Sequence, residues 1–287
     1  MSVPGLLRAG MIDMEPNTTV VQQFPAHEAV PDAAAPSPAV ILLHDVWGLT
    51  PEIRALANRF GREGFFALAP NLYAHPFSVA PGAPPWMSYP MGVAAEEGWG
   101  GFPVRSSFRR PEAEEAKALG AGLSRARLSE IIARATGHLA LASAADPARI
   151  ALVGLGMGGR IGFRAACELG DGVRSVVVYS GTGIASRSSL RSDETMPILE
   201  YEALRAAALF FYGESDPEGG RQEREAVERV LASAGMPHEI VTFREAGRDF
   251  FDESSPDFRI AASREAWEKT LAFLRRTLAA PAGSSPK

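Results

Sequence analysis

The segment VGLGMGGR, at positions 153–160, forms a glycine-rich turn between an apolar run and a stretch with helical character. The apolar run RIALV ends at the first residue of the segment, and IGFRAA follows its last. A turn of this kind either cradles a phosphate or holds a nucleophile on a sharp elbow. The residue in the middle of this turn is Gly156, which has no side chain. The sequence therefore predicts a turn with a nucleophile position, and the residue at that position has no nucleophilic side chain.

A dinucleotide-binding loop is the rival interpretation of the same segment, because GLGMGG partly matches the pattern G-x-G-x-x-G. That pattern belongs to the first strand–helix–strand unit of its domain and is followed by an acidic residue about 20 positions later. Here the turn comes in the middle of the chain, and the third glycine is one residue early. We expect neither a nicotinamide nor a flavin site, and no cofactor.

The fold class follows from short apolar runs that alternate with amphipathic segments, a pattern typical of a mostly parallel sheet covered by helices on both faces. Most of the runs are continuous, as expected for strands buried on both faces. The predicted strands span residues 19–24, 39–43, 65–69, 149–153, 175–179, 208–212 and 238–243. The predicted helices span residues 51–63, 123–144, 158–169, 222–234 and 263–278.

Composition excludes several classes of protein. The 287 residues are 46% hydrophobic and 22% charged, with a net charge of −5 and no basic stripe, so nucleic-acid binding is not expected. No apolar run approaches the ~20 residues that span a bilayer. One cysteine and five scattered histidines offer no disulfide and no metal-ligand spacing. We expect a cytoplasmic, metal-free protein that binds a small molecule, with an oligomeric state that the sequence does not indicate.

The domain organisation predicted is a single domain over residues 1–278 and a disordered tail over 279–287, which is small, polar and contains proline. One long connection, residues 76–105, departs from the alternating pattern and carries Trp86 and Trp99. Such connections are often lids or binding loops. Two interpretations stay open: an ordered flap over the carboxyl ends of the strands, or a surface excursion that packs on its own aromatic residues.

Four segments carry a resemblance to a known family. They are LLHDVWGL continuing to APNLY (residues 42–73), DPARIALVGLGMGGR (146–160), FFYGESDP (210–217) and TFREAGRDFFDESSPDF (242–258). In their order and near-family spacing they resemble the dienelactone hydrolase (carboxymethylenebutenolidase) family of the α/β-hydrolase fold. The resemblance covers residues 39–278, and the 76–105 connection is longer than the family's usual one.

The resemblance implies a nucleophile, a base and an orienting acid at three positions of this chain. The acid position holds Asp216, the nucleophile position holds Gly156, and the base position holds Arg248. Glycine cannot attack a substrate, and a guanidinium stays protonated and cannot act as a general base. The resemblance thus implies a degenerate triad. We expect Arg248 to form an ion pair with Asp216, the alternative being that both face solvent independently, and we expect Gly156 to leave room beside the turn.

The resemblance also implies a ligand pocket at the carboxyl ends of the strands. The backbone N–H groups of Val46 and Met157 would form an oxyanion hole, which needs no particular side chains. The candidate lining residues are Trp47, Trp86, Trp99 and Ser180. The candidate acid/base residues are Asp45 and Tyr73, and His44 and Asp249 are further candidates. Each candidate has a structural alternative: Asp45 caps local backbone groups, Tyr73 packs under the flap, and His44 is a hydrogen-bonded core residue.

Three functions remain compatible with the sequence. The first is non-hydrolytic binding, isomerisation or cyclisation of a small carbonyl-bearing molecule. The second is hydrolysis by relocated groups, for example Ser180 or a water activated by Asp45 or His44. The third is a non-catalytic partner or structural protein, and the fold alone does not choose among them.

Overall fold

In the central sheet, the carboxyl ends of the apolar strands lie side by side at one end of the sheet. The computed structural model describes residues 18–21, 24–73, 116, 119–120, 122–187, 190, 194–217 and 219–280. Eight strands form one sheet, in chain order β1 (Thr18–Val21), β2 (Phe24–Ala29), β3 (Ser37–Leu43), β4 (Phe66–Pro70), β5 (Ala145–Leu155), β6 (Ser175–Tyr179), β7 (Ala207–Gly213) and β8 (His238–Phe243). Their spatial order is β1-β2-β4-β3-β5-β6-β7-β8.

Six neighbouring strands of the sheet are parallel to one another: β4, β3, β5, β6, β7 and β8. At the other edge, the pairings of β1 with β2 and of β2 with β4 are antiparallel. Leu43 pairs with Gly154, and Leu155 pairs with Tyr179, so the carboxyl ends of β3, β5 and β6 lie side by side. The mostly parallel sheet predicted from the sequence is confirmed.

Helices cover both faces of the sheet. They are α1 (Pro51–Arg62), α2 (Arg125–Leu141), α3 (Met157–Leu169), α4 (Arg221–Ser233) and α5 (Ile260–Thr277). Helices α1 and α5 share one apolar cluster with side chains of the sheet such as Leu42, Val153 and Phe211. Helices α2, α3 and α4 share the other cluster, with the alternate side chains of the same strands. Because both faces are buried, the central strands are apolar throughout.

The strand predicted at 19–24 was wrong in extent. The structure has two strands in this region, β1 and β2, and the second was missed. The sequence of β2, FPAHEA, contains a proline and two ionisable residues, His27 and Glu28, which are not typical of a buried strand. In the structure each of these two residues has a partner elsewhere in the chain. His27 bonds Asn58 Oδ1 at 2.8 Å, and Glu28 bonds His138 at 2.7 Å. Polar residues that find partners are tolerated inside a strand.

Helix boundaries differ from the predicted ones by one to three residues. Ser124 caps α2 through its hydroxyl, which accepts from the N–H of Arg127, so the helix begins at Arg125. Helix α5 begins at Ile260, one turn before the apolar stripe that predicted it. The predicted flap at 76–105 and residues 281–287 of the predicted tail lie outside the described residues.

Candidate functional site

The turn between β5 and α3 has the backbone conformation of a tight strand-to-helix elbow. Gly156 has φ 51° and ψ −115°, a region that favours glycine. Its N–H donates to the carbonyl of Tyr179 at 2.8 Å, and its carbonyl accepts from Gly159 at 3.0 Å. A Cβ on Gly158 would lie 2.2 Å from the carbonyl oxygen of Leu43, so this glycine is required by close backbone packing. The glycines thus allow α3 to start directly against the ends of β3 and β5.

The carboxylate of Asp45 lies where a side chain on Gly156 would be. A Cβ built on Gly156 would meet Oδ2, Cγ and Oδ1 of Asp45 at 2.3, 2.4 and 2.5 Å. Real Cβ atoms do not make such contacts. The expectation that Gly156 leaves room is therefore wrong, because the neighbouring acid fills the space.

The same carboxylate accepts hydrogen bonds from both backbone N–H groups that were predicted to form an oxyanion hole. Oδ1 of Asp45 accepts from the N–H of Val46 at 2.7 Å and from the N–H of Met157 at 2.8 Å. The second donor is the first residue of α3, where the helix dipole also favours a negative charge. The two N–H groups do converge, and a carboxylate of the chain itself is bound between them.

His44 is held by backbone groups through both ring nitrogens. Nε2 accepts from the N–H of Leu72 at 2.9 Å, so the proton lies on Nδ1, which donates to the carbonyl of Asp45 at 2.7 Å. The ring is fully buried, and burial lowers the pKa of His44 to about 4. Neither nitrogen is available to a substrate, so His44 has the role of a hydrogen-bonded core residue.

Tyr73 supports the same loop from the other side. Its hydroxyl donates to the carbonyl of Val46 at 3.0 Å, and its ring lies 5.2 Å from that of His44. Burial raises the pKa of Tyr73 well above its usual range, so the phenol stays protonated. Tyr73 thus fixes the peptide that follows Val46, while the peptide between Asp45 and Val46, whose N–H bonds the carboxylate, is held at its carbonyl by His44.

Arg248 lies in the loop between β8 and α5, and Asp216 follows β7. The guanidinium donates from Nη2 to the hydroxyl of Thr182 at 2.7 Å. Asp216 is only 2% exposed. Thr182 was not identified from the sequence, and its position two residues after Ser180 is the signal that was available. The ion pair between Arg248 and Asp216 stays a prediction.

A cavity of about 580 Å³ opens beside the turn, on the side of α1 and the loop after β8. It brings together Asp45, Trp47, Gly156, Ser180 and Arg248 from the predicted site. The cavity also contains Asp249, which was an acid/base candidate from the sequence. The residues missed from the sequence include the wall residues Leu155, Tyr179 and Phe251 and the charged residues Glu52, Arg59 and Glu253. Val46 and Met157 are not among the described residues that line the cavity, and their N–H groups bond the carboxylate of Asp45. Trp86 and Trp99 lie outside the described residues.

Ser180 is strained and buried at this cavity. Its φ is 48°, which is unusual for a residue other than glycine, and it is 3% exposed. Within the described parts of the chain its hydroxyl has no hydrogen-bond partner. Sequence reasoning placed Ser180 near the site from its position after β6, but backbone strain has no signature in the sequence.

The described residues hold no group of three metal-ligating side chains. Cys167 is buried in α3, where burial raises the pKa of its thiol to about 12. In the ranges that the structure describes, no helix is long and apolar enough to cross a membrane.

The fold and the turn place the chain among α/β-hydrolase-fold proteins, and comparison with known proteins narrows the class. The model of the dienelactone hydrolase family matches residues 24–278. This chain belongs to that family. A protein of Methylorubrum extorquens described as "Putative carboxymethylenebutenolidase" is 25% identical over 253 residues, which are 88% of this chain and 77% of that protein.

Solved structures agree on the fold. The crystal structure of a "Putative Dienelactone Hydrolase" from Klebsiella pneumoniae has a TM-score of 0.72 at 22% identity and covers 90% of this chain and 97% of its own. A dienelactone hydrolase-like promiscuous phosphotriesterase from metagenomic libraries has a TM-score of 0.63 at 14% identity, with 88% and 98% covered.

Proposed function

We propose that this family member binds or transforms a small carbonyl-bearing molecule without forming a covalent acyl-enzyme at the turn. One observation carries the proposal: the Asp45 carboxylate lies within 2.5 Å of the place where the Cβ of a side chain at position 156 would be. A side chain at position 156 would require the carboxylate to leave the place it occupies here and to give up its two backbone N–H bonds. The reactive group that the site offers is therefore an acid–base group and not a nucleophile on the elbow.

The electrostatics of the site support the same proposal. A tetrahedral oxyanion needs the two N–H groups of Val46 and Met157, and Asp45 already bonds both. An incoming oxyanion would meet a negative charge instead of two donors. Arg248 occupies the position of the family's base, and the described residues that line the cavity include no histidine to deprotonate a hydroxyl there.

The cavity suits a molecule with apolar surface and a polar group. Its walls combine Trp47, Leu155 and Phe251 with the carboxylate of Asp45 and the guanidinium of Arg248. Ligand pockets usually combine an apolar lining with a few polar groups that fix orientation. We propose a small molecule as the partner of this cavity and a cytoplasmic location for the protein.

Hydrolysis by relocated groups remains the second candidate because of Ser180, a residue that lines the cavity and whose buried hydroxyl has no hydrogen-bond partner among the described residues. His44 cannot serve it, since both ring nitrogens bond backbone groups. His27, His138 and His238 each contact other residues, Asn58, Glu28 and the Met236 carbonyl. Among the residues that the structure describes, Asp45 is thus the base on which a serine nucleophile would have to rely.

The test uses an alkyl fluorophosphonate and p-nitrophenyl acetate, followed by intact-mass measurement. We expect no adduct on the folded protein and no burst of p-nitrophenol. An adduct mapped to Ser180 would establish the second candidate and overturn the proposal. The triple variant Gly156→Ser, Asp45→Gly, Arg248→His is the matched control, because it restores a nucleophile and a base and removes the carboxylate that blocks the position; we expect it to be labelled.

Binding is tested in parallel by saturation-transfer NMR with two ketones, phenylacetone and 2-indanone. We expect transfer from the protein to at least one ketone, reduced by Trp47→Ala. Absence of transfer to both ketones would contradict the small-carbonyl part of the proposal.

A further inference from the structure

Two residues with polar side chains lie beside the turn at Gly156, at the same cavity. Asp45 fills the place of a side chain at position 156, and Ser180 directly follows Tyr179, whose carbonyl accepts from the N–H of Gly156. Both residues line the cavity. One is a carboxylate and the other a hydroxyl, which are the two groups needed to remove a proton and to stabilise the charge that forms.

The two oxygens of Asp45 are not equivalent. Oδ1 accepts two backbone N–H bonds, and across the described residues no hydrogen bond reaches Oδ2. The bonds to Oδ1 fix the carboxylate in one orientation. Oδ2 is therefore the oxygen of this carboxylate that is left for a molecule in the cavity.

Ser180 holds an energetically unfavourable backbone conformation. A non-glycine residue with φ 48° is strained, and strain of this kind is concentrated at functional sites. Its hydroxyl is buried and has no partner among the described residues, although buried hydroxyl groups are nearly always hydrogen-bonded. A ligand oxygen in the cavity would supply that partner.

The other end of the same strand provides a contrast. Ser175, the first residue of β6, is also buried, but its hydroxyl accepts from Thr277 at 3.0 Å. Ser175 is thus a satisfied structural hydroxyl, while the hydroxyl of Ser180 lacks a partner within the described chain. The two serines, one at the start of β6 and one directly after its end, therefore differ: the contacts of Ser175 fit a structural role, and those of Ser180 fit a binding role.

We infer that Asp45 and Ser180 form a proton-transfer pair for enolisation of the bound carbonyl compound, an inference that rests on the proposed function. The C–H bond next to the carbonyl breaks, its proton moves to Oδ2 of Asp45, and its electron pair forms the carbon–carbon double bond of an enolate. The hydroxyl of Ser180 donates to the enolate oxygen. Return of the proton to a carbon completes an exchange or an isomerisation, and no further reactant is needed.

A carboxylate base paired with a hydrogen-bond donor is chemically sufficient for this step. Ketosteroid isomerase uses an aspartate with only a modestly raised pKa together with donors to the oxygen. Removal of a single donor to a developing oxyanion commonly lowers the rate by about 10²–10³. The substrate class is therefore a ketone or other carbonyl compound with a proton on the adjacent carbon.

The experiment follows deuterium incorporation into phenylacetone and 2-indanone in D₂O by NMR, with saturation transfer measured in the same samples. We expect the folded protein to accelerate exchange over buffer and over unfolded protein. Asp45→Asn keeps an acceptor for the two N–H groups and removes the base, so exchange should fall to the buffer rate. Ser180→Ala should lower the protein-dependent rate by at least about tenfold while binding persists.

Two control variants make the result specific. Asp32→Asn removes an exposed carboxylate in the loop before β3, and Ser175→Ala removes the satisfied hydroxyl at the start of β6; neither should change the exchange rate. Ketone binding with no accelerated exchange would overturn the inference and leave the proposed function standing. Exchange that survives in Asp45→Asn or is unchanged in Ser180→Ala would overturn it as well. A covalent adduct in the labelling experiment would instead overturn the proposed function.

Discussion

Oδ1 of Asp45 accepts a hydrogen bond from the N–H of Met157 at 2.8 Å, across 112 residues of sequence. This bond joins the loop after β3 to the first residue of α3. Together with the bond from Val46 it satisfies two backbone donors at the end of the sheet. The carboxylate thus has a structural effect in addition to the chemical role proposed for it.

Replacing Asp45 should lower stability in a graded way. Asp45→Ala removes the acceptor of two N–H groups, and we expect a loss of about 1–2 kcal/mol in the free energy of unfolding. Asp45→Asn keeps an acceptor oxygen and loses only the charge, so it should cost less. Urea unfolding measures both, with Asp32→Ala as the exposed control. Equal stability of Asp45→Ala and the unmodified protein would contradict the contacts described.

His44 should make stability depend on pH. Burial lowers its pKa to about 4 in the folded protein, against 6.5 in the unfolded chain. Between these values the unfolded chain binds more protons, so stability rises with pH. The contribution of the neutral ring is fully present above pH 6.5 and is lost as pH falls toward 4, by about 3 kcal/mol in total.

The measurement is urea unfolding at several pH values between 4 and 7. The variant His44→Gln, which has an amide in place of the titrating ring, should show a shallower dependence than the unmodified protein. Parallel curves for the two proteins across this range would show that His44 titrates normally.

Cys167 should be inert in the folded protein. Burial raises the pKa of its thiol to about 12, and the thiolate is the reactive form. A disulfide reagent such as Ellman's reagent at pH 8 should release no colour until denaturant is added, and then one equivalent. Rapid reaction of the folded protein would show that α3 opens easily.

The sequence predicted much of the fold because the central strands are apolar on both faces and the helices carry clear stripes. Strand β2 was missed because His27 and Glu28 interrupt its apolar character, and their partners Asn58 and His138 are distant in the chain. Pairing of this kind depends on tertiary contacts, which local pattern does not show.

At the site, the sequence indicated which residues meet but not how they are arranged. It named Asp45, Gly156 and the N–H groups of Val46 and Met157 as neighbours. It did not predict that the carboxylate occupies the space beside Gly156, because a side-chain rotamer is not encoded in spacing. The strain at Ser180 was invisible for the same reason, since backbone dihedrals at a strand end are set by packing.

The central claim is that the Asp45 carboxylate excludes a side chain at position 156, and a double-mutant cycle tests it most directly. Gly170 is the matched control: its φ of 51° and ψ of −118° nearly equal those of Gly156, and a Cβ there meets nothing within 4 Å. Gly170→Ala therefore measures the backbone strain alone, about 1–3 kcal/mol. Gly156→Ala adds the steric conflict, which raises its expected cost to about 3 kcal/mol or more.

Urea unfolding of Gly156→Ala, Asp45→Gly and the double variant completes the cycle. We predict that Asp45→Gly reduces the cost of Gly156→Ala to that of Gly170→Ala, a coupling of about 2 kcal/mol between the two positions. A cost of Gly156→Ala that is unchanged by Asp45→Gly, with the two substitutions additive within about 0.5 kcal/mol, would contradict the claim.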